Sequence, residues 1–260
     1  MQKSNTNTAL TTESNDGITL LSWPVHSVQA LQTTRSSSSL SSSNAPYDNF
    51  NLGLHVGDDE TSVNLNRNFL EQNFLDQKKI QWLEQVHGNH AEIITELSTK
   101  PLVADACITS NRDIALAIMT ADCLPILLSN ESGSIVAAIH GGWRSLAGGI
   151  INNTLTKMAE PPRLIYAWLG PCIGKRAFEV GLDVYESFTS QSSCFRKAFK
   201  LQKSGKYLAD LHHIATIQLN RLGVERIDTL EECTYDNANK YYSYRREALT
   251  GRMASIICRR

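Results

Sequence analysis

Two hydrophobic periods alternate along this chain, and the places where one gives way to the other mark its elements. Ile18–Trp23 is a short apolar stretch, and Val28-Gln-Ala-Leu-Gln-Thr-Thr34 alternates in the β-branched manner of a strand. Thr61 then caps a predicted helix that runs to about Leu75 and buries Val63, Phe69, Leu70 and Phe74. From 80 to 142 the period shortens: Ile80–Val86, Ala91–Thr95, Ile114–Met119, Leu124–Leu128 and Ile135–His140 are apolar runs separated by Gly, Asn, Asp and Ser. Helical spacing returns over Trp143–Met158, with a stripe of Leu146, Ile150, Ile151, Leu155 and Met158, and stops at Pro161-Pro162. A strand at Leu164–Leu169, a helical stripe of Leu208, Leu211, Ala215, Leu219 and Leu222 ended by Gly223, and a strand at Met253–Cys258 complete the pattern. Neighbouring strands mixed with single helices, without a βα repeat, predict an α+β fold: a single compact domain with mixed β-sheets enclosed by helices.

Two segments fall outside that pattern. Residues 1–16 are polar and read as a flexible N-terminal tail, which leaves 17–260 as the domain. Ser36 to Ser43 holds seven serines and one leucine, so it can bury little and reads as a mobile loop over residues 36–43.

Composition narrows the function. Twenty-five Lys and Arg against 26 Asp and Glu give a net charge of -1, which is not the footprint of a general nucleic-acid binder. The six cysteines form no CxxC pair, and there is neither an apolar signal core near the start nor an 18-residue apolar run, so reduced thiols and a cytoplasmic location, away from any membrane, are expected.

Three segments end an apolar run on a metal-binding side chain: Gln85-Val-His87-Gly-Asn, Met119-Thr-Ala-Asp-Cys123-Leu-Pro and Ala138-Ile-His140-Gly-Gly-Trp-Arg144. Two imidazoles and a thiolate suit Zn²⁺, and three protein ligands leave the fourth tetrahedral position for water or substrate, the catalytic arrangement. The same residues also fit a buried thiol and two core histidines. Gly88, Gly141 and Gly142 permit close approach beside the histidines, and Asp122 and Arg144 are placed to orient ligands or bind an anion.

These segments, together with Trp82-Leu-Glu-Gln-Val-His-Gly88, Ala167-Trp-Leu-Gly-Pro-Cys-Ile-Gly174, Cys233-Thr-Tyr and Tyr242-Ser-Tyr-Arg-Arg246, closely resemble the bacterial YfiH-like, laccase-domain family across roughly residues 17 to 260. The resemblance implies a single compact α+β unit and carries the family's metal ligands onto His87, Cys123 and His140. It implies several activities: purine nucleoside phosphorolysis with adenosine deamination, polyphenol oxidation, and editing of peptidoglycan precursors. Two departures stand out. Arg35 is followed by the serine run where the family has a glycine-bearing segment, and the usual His-Ala-Gly-Trp-Arg is His140-Gly-Gly-Trp-Arg, one methyl fewer close to the expected metal.

Seven histidines are too few for several copper centres, although one copper in the His-Cys-His set is chemically allowed. The deaminase signature His-x-Glu with Pro-Cys-x-x-Cys is missing, which leaves Glu84 or Asp122 to carry protons. Phosphorolysis needs an anion clamp, for which Arg35, Arg144, Arg245 and Arg246 are candidates, and Asn51 and His55 are placed to line the pocket. The expectation is therefore a zinc enzyme acting on a small molecule, with Cys123, His140, His87, Arg144 and Asp122 as catalytic candidates. Purine nucleoside phosphorolysis comes first and amide hydrolysis in a cell-wall precursor second. A Cys123–histidine nucleophile pair without metal uses the same side chains. His212-His213 reads as a solvated pair, and Cys172 as a small buried hydrophobe.

Overall fold

The structure is a computed structural model that describes residues 12–40 and 44–260. Four layers stack as helix, sheet, sheet and helices. One six-stranded sheet has the order Thr12–Asn15, Ile18–Leu21, Val28–Thr33, Met253–Arg259, Ile114–Thr120, Lys79–Gln81, so the end of the chain lies between an early and a middle strand. The second has the order Arg226–Thr229, Ile165–Leu169, Leu124–Asn130, Val136–Gly141, Ala106–Thr109, Ala91–Ile93. Both mix parallel and antiparallel pairs. The α+β expectation of mixed sheets enclosed by helices describes this architecture.

The apolar runs of the sequence reflect burial on both faces of the central strands. Along Ile114–Thr120, Ile114, Leu116 and Ile118 enter the core between the sheets with Leu127, Ala138 and Trp168. Ala115, Ala117 and Met119 point the other way, into a core with Leu70 and Leu75 at the helix Glu60–Phe74. Ile126, Leu128 and Ile139 face a third core with Leu146, Ile150, Leu155, Leu211 and Ile214. A strand covered on both faces has no polar side to alternate with, hence the continuous hydrophobicity. No helix among the described residues is long and apolar enough to cross a membrane.

Several element boundaries differ from the sequence pattern. The long helix predicted over Trp143–Met158 is two, Trp143–Ala147 and Ile150–Met158, because Gly149 takes φ +84° and breaks the hydrogen-bond ladder. Ile80–Val86 is divided into Lys79–Gln81 and Leu83–Glu84. Leu208 belongs to the strand Tyr207–Ala209, and the helix begins at Leu211 with Asp210 accepting from the His213 N–H. The helix Leu182–Thr189 and the strands Ala106–Thr109 and Arg226–Thr229 were not foreseen.

The start of the chain also differs. Thr12–Asn15 pairs with Ile18–Leu21 as an edge strand, so four of the residues read as tail are in a sheet, while 1–11 lie outside the described residues. Residues 36–40 of the serine loop are tied down: Asp16 accepts from the N–H and hydroxyl of Ser38 and the N–H of Ser39, and Asn49 accepts from Ser37 N. Residues 41–43 lie outside the described residues.

Candidate metal centre and active-site pocket

The two sheets meet at the turn Ala121-Asp122-Cys123, which links the last residue of Ile114–Thr120 to the first of Leu124–Asn130. A step from one sheet to the other in three residues requires an unusual backbone, and Asp122 adopts φ +102°. Its buried carboxylate accepts from Thr234 Oγ1 at 2.6 Å and from the Arg245 N–H at 2.7 Å, which fixes the turn and with it Cys123. Leu124 pairs with Gly141, bringing Cys123 beside the end of the strand that carries His140. His87 arrives from a loop whose Gln85 side chain both donates to Met119 O and accepts from Met119 N, each at 2.8 Å.

The three donor atoms of His87, Cys123 and His140 lie within 4.8 Å of one another, with His87 Nε2 and Cys123 Sγ 3.8 Å apart. Tetrahedral bonds of about 2.0 Å to nitrogen and 2.3 Å to sulfur place neighbouring ligand atoms about 3.5 Å apart, so a small contraction seats one ion. The nitrogen and thiolate donor set suits zinc and accepts copper. By distance and by chemistry, these residues fit one metal ion.

The residue that organises the centre was absent from the sequence-based candidates. Asp105 is fully buried. It accepts from His140 Nδ1–H at 2.7 Å, from the His87 N–H at 2.9 Å, from the Gly88 N–H at 2.6 Å and from the Val86 N–H at 3.3 Å. One carboxylate thus sets the tautomer of His140, leaving Nε2 for a metal, and holds the left-handed backbone of His87, φ +58°. Burial acts to raise the Asp105 carboxyl, but His140 and the backbone N–H groups outweigh it and hold it below the usual carboxylate range. Burial likewise pushes the Cys123 thiol up, yet the imidazoles of His140 and His87 bring it down to about 6. For His140, burial favours the neutral ring, while Cys123 and Asp105 raise it to about 9. Both shifts run in the direction that favours the Cys123 thiolate, the form in which a cysteine binds metal.

Gly142 is essential to the crowding here. A Cβ on it would lie 3.0 Å from His87 Cδ2 and 3.4 Å from Cys123 Sγ. Gly141 is different: its Cβ would meet Leu124 O at 2.6 Å and Leu124 Cβ at 3.3 Å, so the family methyl that this chain lacks faces the strand and not the metal ligands.

The ligands open into a cavity of about 410 Å³, ordinary for a small-molecule site. Met119, Ile173, Phe178 and Tyr244 supply an apolar and aromatic lining, while His55, Gln85, Arg245 and Arg252 supply polar groups. Of the sequence-derived candidates, His87, Cys123, His140, Asp122, His55 and Arg245 line this cavity. Arg35, Arg144, Arg246 and Asn51 do not. Arg35 pairs with Asp48 and donates to Ala238 O; Arg144 lies over the Trp143 ring at 4.3 Å. Arg246 donates to the carbonyls of Thr234, Tyr235 and Tyr241, holding the 234–246 loop. Buried Asn51 accepts from Gly53 N and Arg252 N. Arg252 was missed; its signal is the Thr250-Gly-Arg252 step directly before the last strand. His212 is half-buried and turned to Gly170 O at 2.8 Å, with Cys172 beside it, in contrast to the solvated pair expected.

The family described as Multi-copper polyphenol oxidoreductase laccase matches residues 29–260. Purine nucleoside phosphorylase YfiH of Escherichia coli (strain K12) is 44% identical over 212 residues, 82% of this chain and 87% of that protein. Purine nucleoside phosphorylase PA4543 of Pseudomonas aeruginosa is 40% identical over 237 residues, 90% of this chain and 95% of that protein. Among solved structures, the Neisseria meningitidis protein NMB0706 superposes with TM-score 0.89 at 38% identity, covering 94% of this chain and 99% of that one. YlmD from Geobacillus stearothermophilus gives 0.85 at 29% identity, covering 96% and 98%. Matched over most of its length by that family and by these relatives, the chain belongs to the YfiH-like, laccase-domain family.

Proposed function

We propose that the protein is a zinc-holding purine nucleoside phosphorylase. The observation that carries this reading is one cavity in which a convergent His-Cys-His centre, an aromatic lining and arginines meet, in a chain 40 to 44% identical to relatives named purine nucleoside phosphorylases. His87, Cys123 and His140 would hold the ion, which supplies Lewis acidity when bound. Phe178 and Tyr244 offer ring faces to a purine. In phosphorolysis a phosphate oxygen forms the new bond to C1′ of the ribose as the bond from C1′ to the purine nitrogen breaks, and the purine leaves with a proton. Arg245 and Arg252 supply positive charge beside this reaction volume. Adenosine deamination asks for a proton carrier, and Asp122 has both oxygens occupied by Thr234 and the Arg245 N–H. The same site is therefore better suited to displacement at the ribose.

The test is chromatography of adenosine incubated with the protein, with and without phosphate. Adenine formed only when phosphate is present supports the reading. Inosine alone, in both reactions, would replace phosphorolysis with deamination, and no purine product in either would remove the nucleoside assignment.

A further inference from the structure

Arg252 is anchored through its backbone and through one nitrogen of its guanidinium, and among the described residues it forms no salt bridge: Asp122 and Cys123 act on it only through space. Its backbone N–H donates to Asn51 Oδ1 at 2.8 Å and its carbonyl accepts from Leu52 N at 3.1 Å. Nη1 donates to the carbonyls of Thr250 and Gly251, each at 3.0 Å. The stem lies against Gly53, where a Cβ would come within 2.9 Å of Arg252 Cγ. The strand register Met253↔Thr120 places Arg252 at the sheet end from which the Ala121-Asp122-Cys123 turn departs.

Among the described residues no acceptor meets Nε or Nη2 of Arg252, and no carboxylate pairs with it. Arg245 lines the same cavity and likewise has no carboxylate partner, its guanidinium touching the carbonyls of Ala177 and Glu179 at 3.3 Å. The one carboxylate lining the cavity, Asp122, is turned to Thr234 and the Arg245 N–H. A half-buried guanidinium loses hydration, and an arrangement that fixes one edge while leaving the Nε–Nη2 edge open is recovered by an anion with two oxygens to offer.

We propose that Arg252 anchors an oxyanion subsite in this cavity, with Asn51 and Gly53 as its positioning residues. That the anion is inorganic phosphate rests on the phosphorolysis reading. The subsite moves the clamp from the arginines suggested by motif, Arg35, Arg144 and Arg246, to one that the fold brings into the pocket.

The experiment is titration of the zinc-loaded full chain with inorganic phosphate, without nucleoside, followed by ³¹P NMR. Arg252→Gln should weaken phosphate binding by about 10- to 100-fold at unchanged metal content and circular dichroism. Unchanged affinity in the folded variant would overturn the subsite. A second measurement needs no variant: an arginine-specific dicarbonyl reagent should modify Arg252 of the wild-type chain more slowly when phosphate is present. Equal rates with and without phosphate would also overturn it. The two readings separate cleanly. Arg252-dependent phosphate binding without turnover of nucleoside keeps the subsite and removes the phosphorylase, whereas phosphorolysis with Arg252-independent phosphate use does the reverse.

Discussion

His140 Nδ1 and Asp105 Oδ1 are 2.7 Å apart, and the same carboxylate receives the backbone N–H of His87. The two imidazoles of the candidate metal centre are therefore fixed by one buried acid between them. Asp105→Asn offers one acceptor where the carboxylate offers two, and its amide N–H₂ opposes donors. It should lower zinc affinity by about 10- to 100-fold, read by competition with a chromophoric chelator. Wild-type affinity in that variant would show that Asp105 does not position the ligands.

Gly142→Ala places a methyl 3.0 Å from the His87 ring and 3.4 Å from Cys123 Sγ. Metal content and turnover should both fall while the thermal transition stays near that of the wild type. Gly149→Ala is the contrasting substitution. At φ +84° with open space around it, it should cost about 1 kcal/mol of stability and leave zinc content alone. Reversed outcomes would contradict this assignment of strain and crowding.

Cys123→Ala should lower turnover by about 100-fold or more with the fold retained, because it removes the sulfur of the His-Cys-His cluster proposed to hold the ion. Cys194→Ala should be nearly silent, since its sulfur donates to Ser192 Oγ and accepts from Arg221 Nη1 and the residue does not line the cavity. Equal activity in Cys123→Ala and wild type, measured with purified protein, would misplace the site.

The serine loop carries a pH dependence of its own. Burial opposes ionisation of Asp16, but the hydrogen bonds from Ser39, Ser38 and Ser37 together outweigh it and bring its carboxyl down to about 2 from 3.8. A folded pKa below the unfolded one contributes stability that is complete above about pH 4 and is lost as pH falls towards 2. Amide exchange of residues 36–40, corrected for intrinsic rate, should therefore accelerate between pH 4 and 2. Asp16→Asn should show the fast rate at both ends. Protection that does not change over this range would remove Asp16 as the loop's anchor.

Much of the architecture and the convergence of His87, Cys123 and His140 could be read in the sequence because both rest on local signals. Ile114–Met119 and Leu124–Leu128 are apolar throughout, as strands buried on two faces must be. His87, Cys123 and His140 end or follow such runs, the two histidines beside glycines. What escaped depends on contacts distant in the chain. Asp105 looks like any turn acid in Val-Ala-Asp-Ala-Cys, and becomes the organiser only because Ala106–Thr109 pairs with Val136–Gly141 next to the His87 loop. Arg252 acquires its place through Asn51, 201 residues away in sequence. Arg35, Arg144 and Arg246 show the opposite case: they share motifs with the ligands, and tertiary structure spends them on Asp48, Trp143 and backbone carbonyls. The helix break at Gly149 depends on a left-handed backbone, which apolar periodicity does not encode.

The most direct test of the whole account is ³¹P NMR of inosine and phosphate incubated with the zinc-containing protein and, in parallel, with Cys123→Ala. The account predicts a ribose 1-phosphate resonance that grows with the wild type in step with hypoxanthine and is lacking with the variant. No such resonance from wild type of verified zinc content, or an equal one from Cys123→Ala, would contradict it.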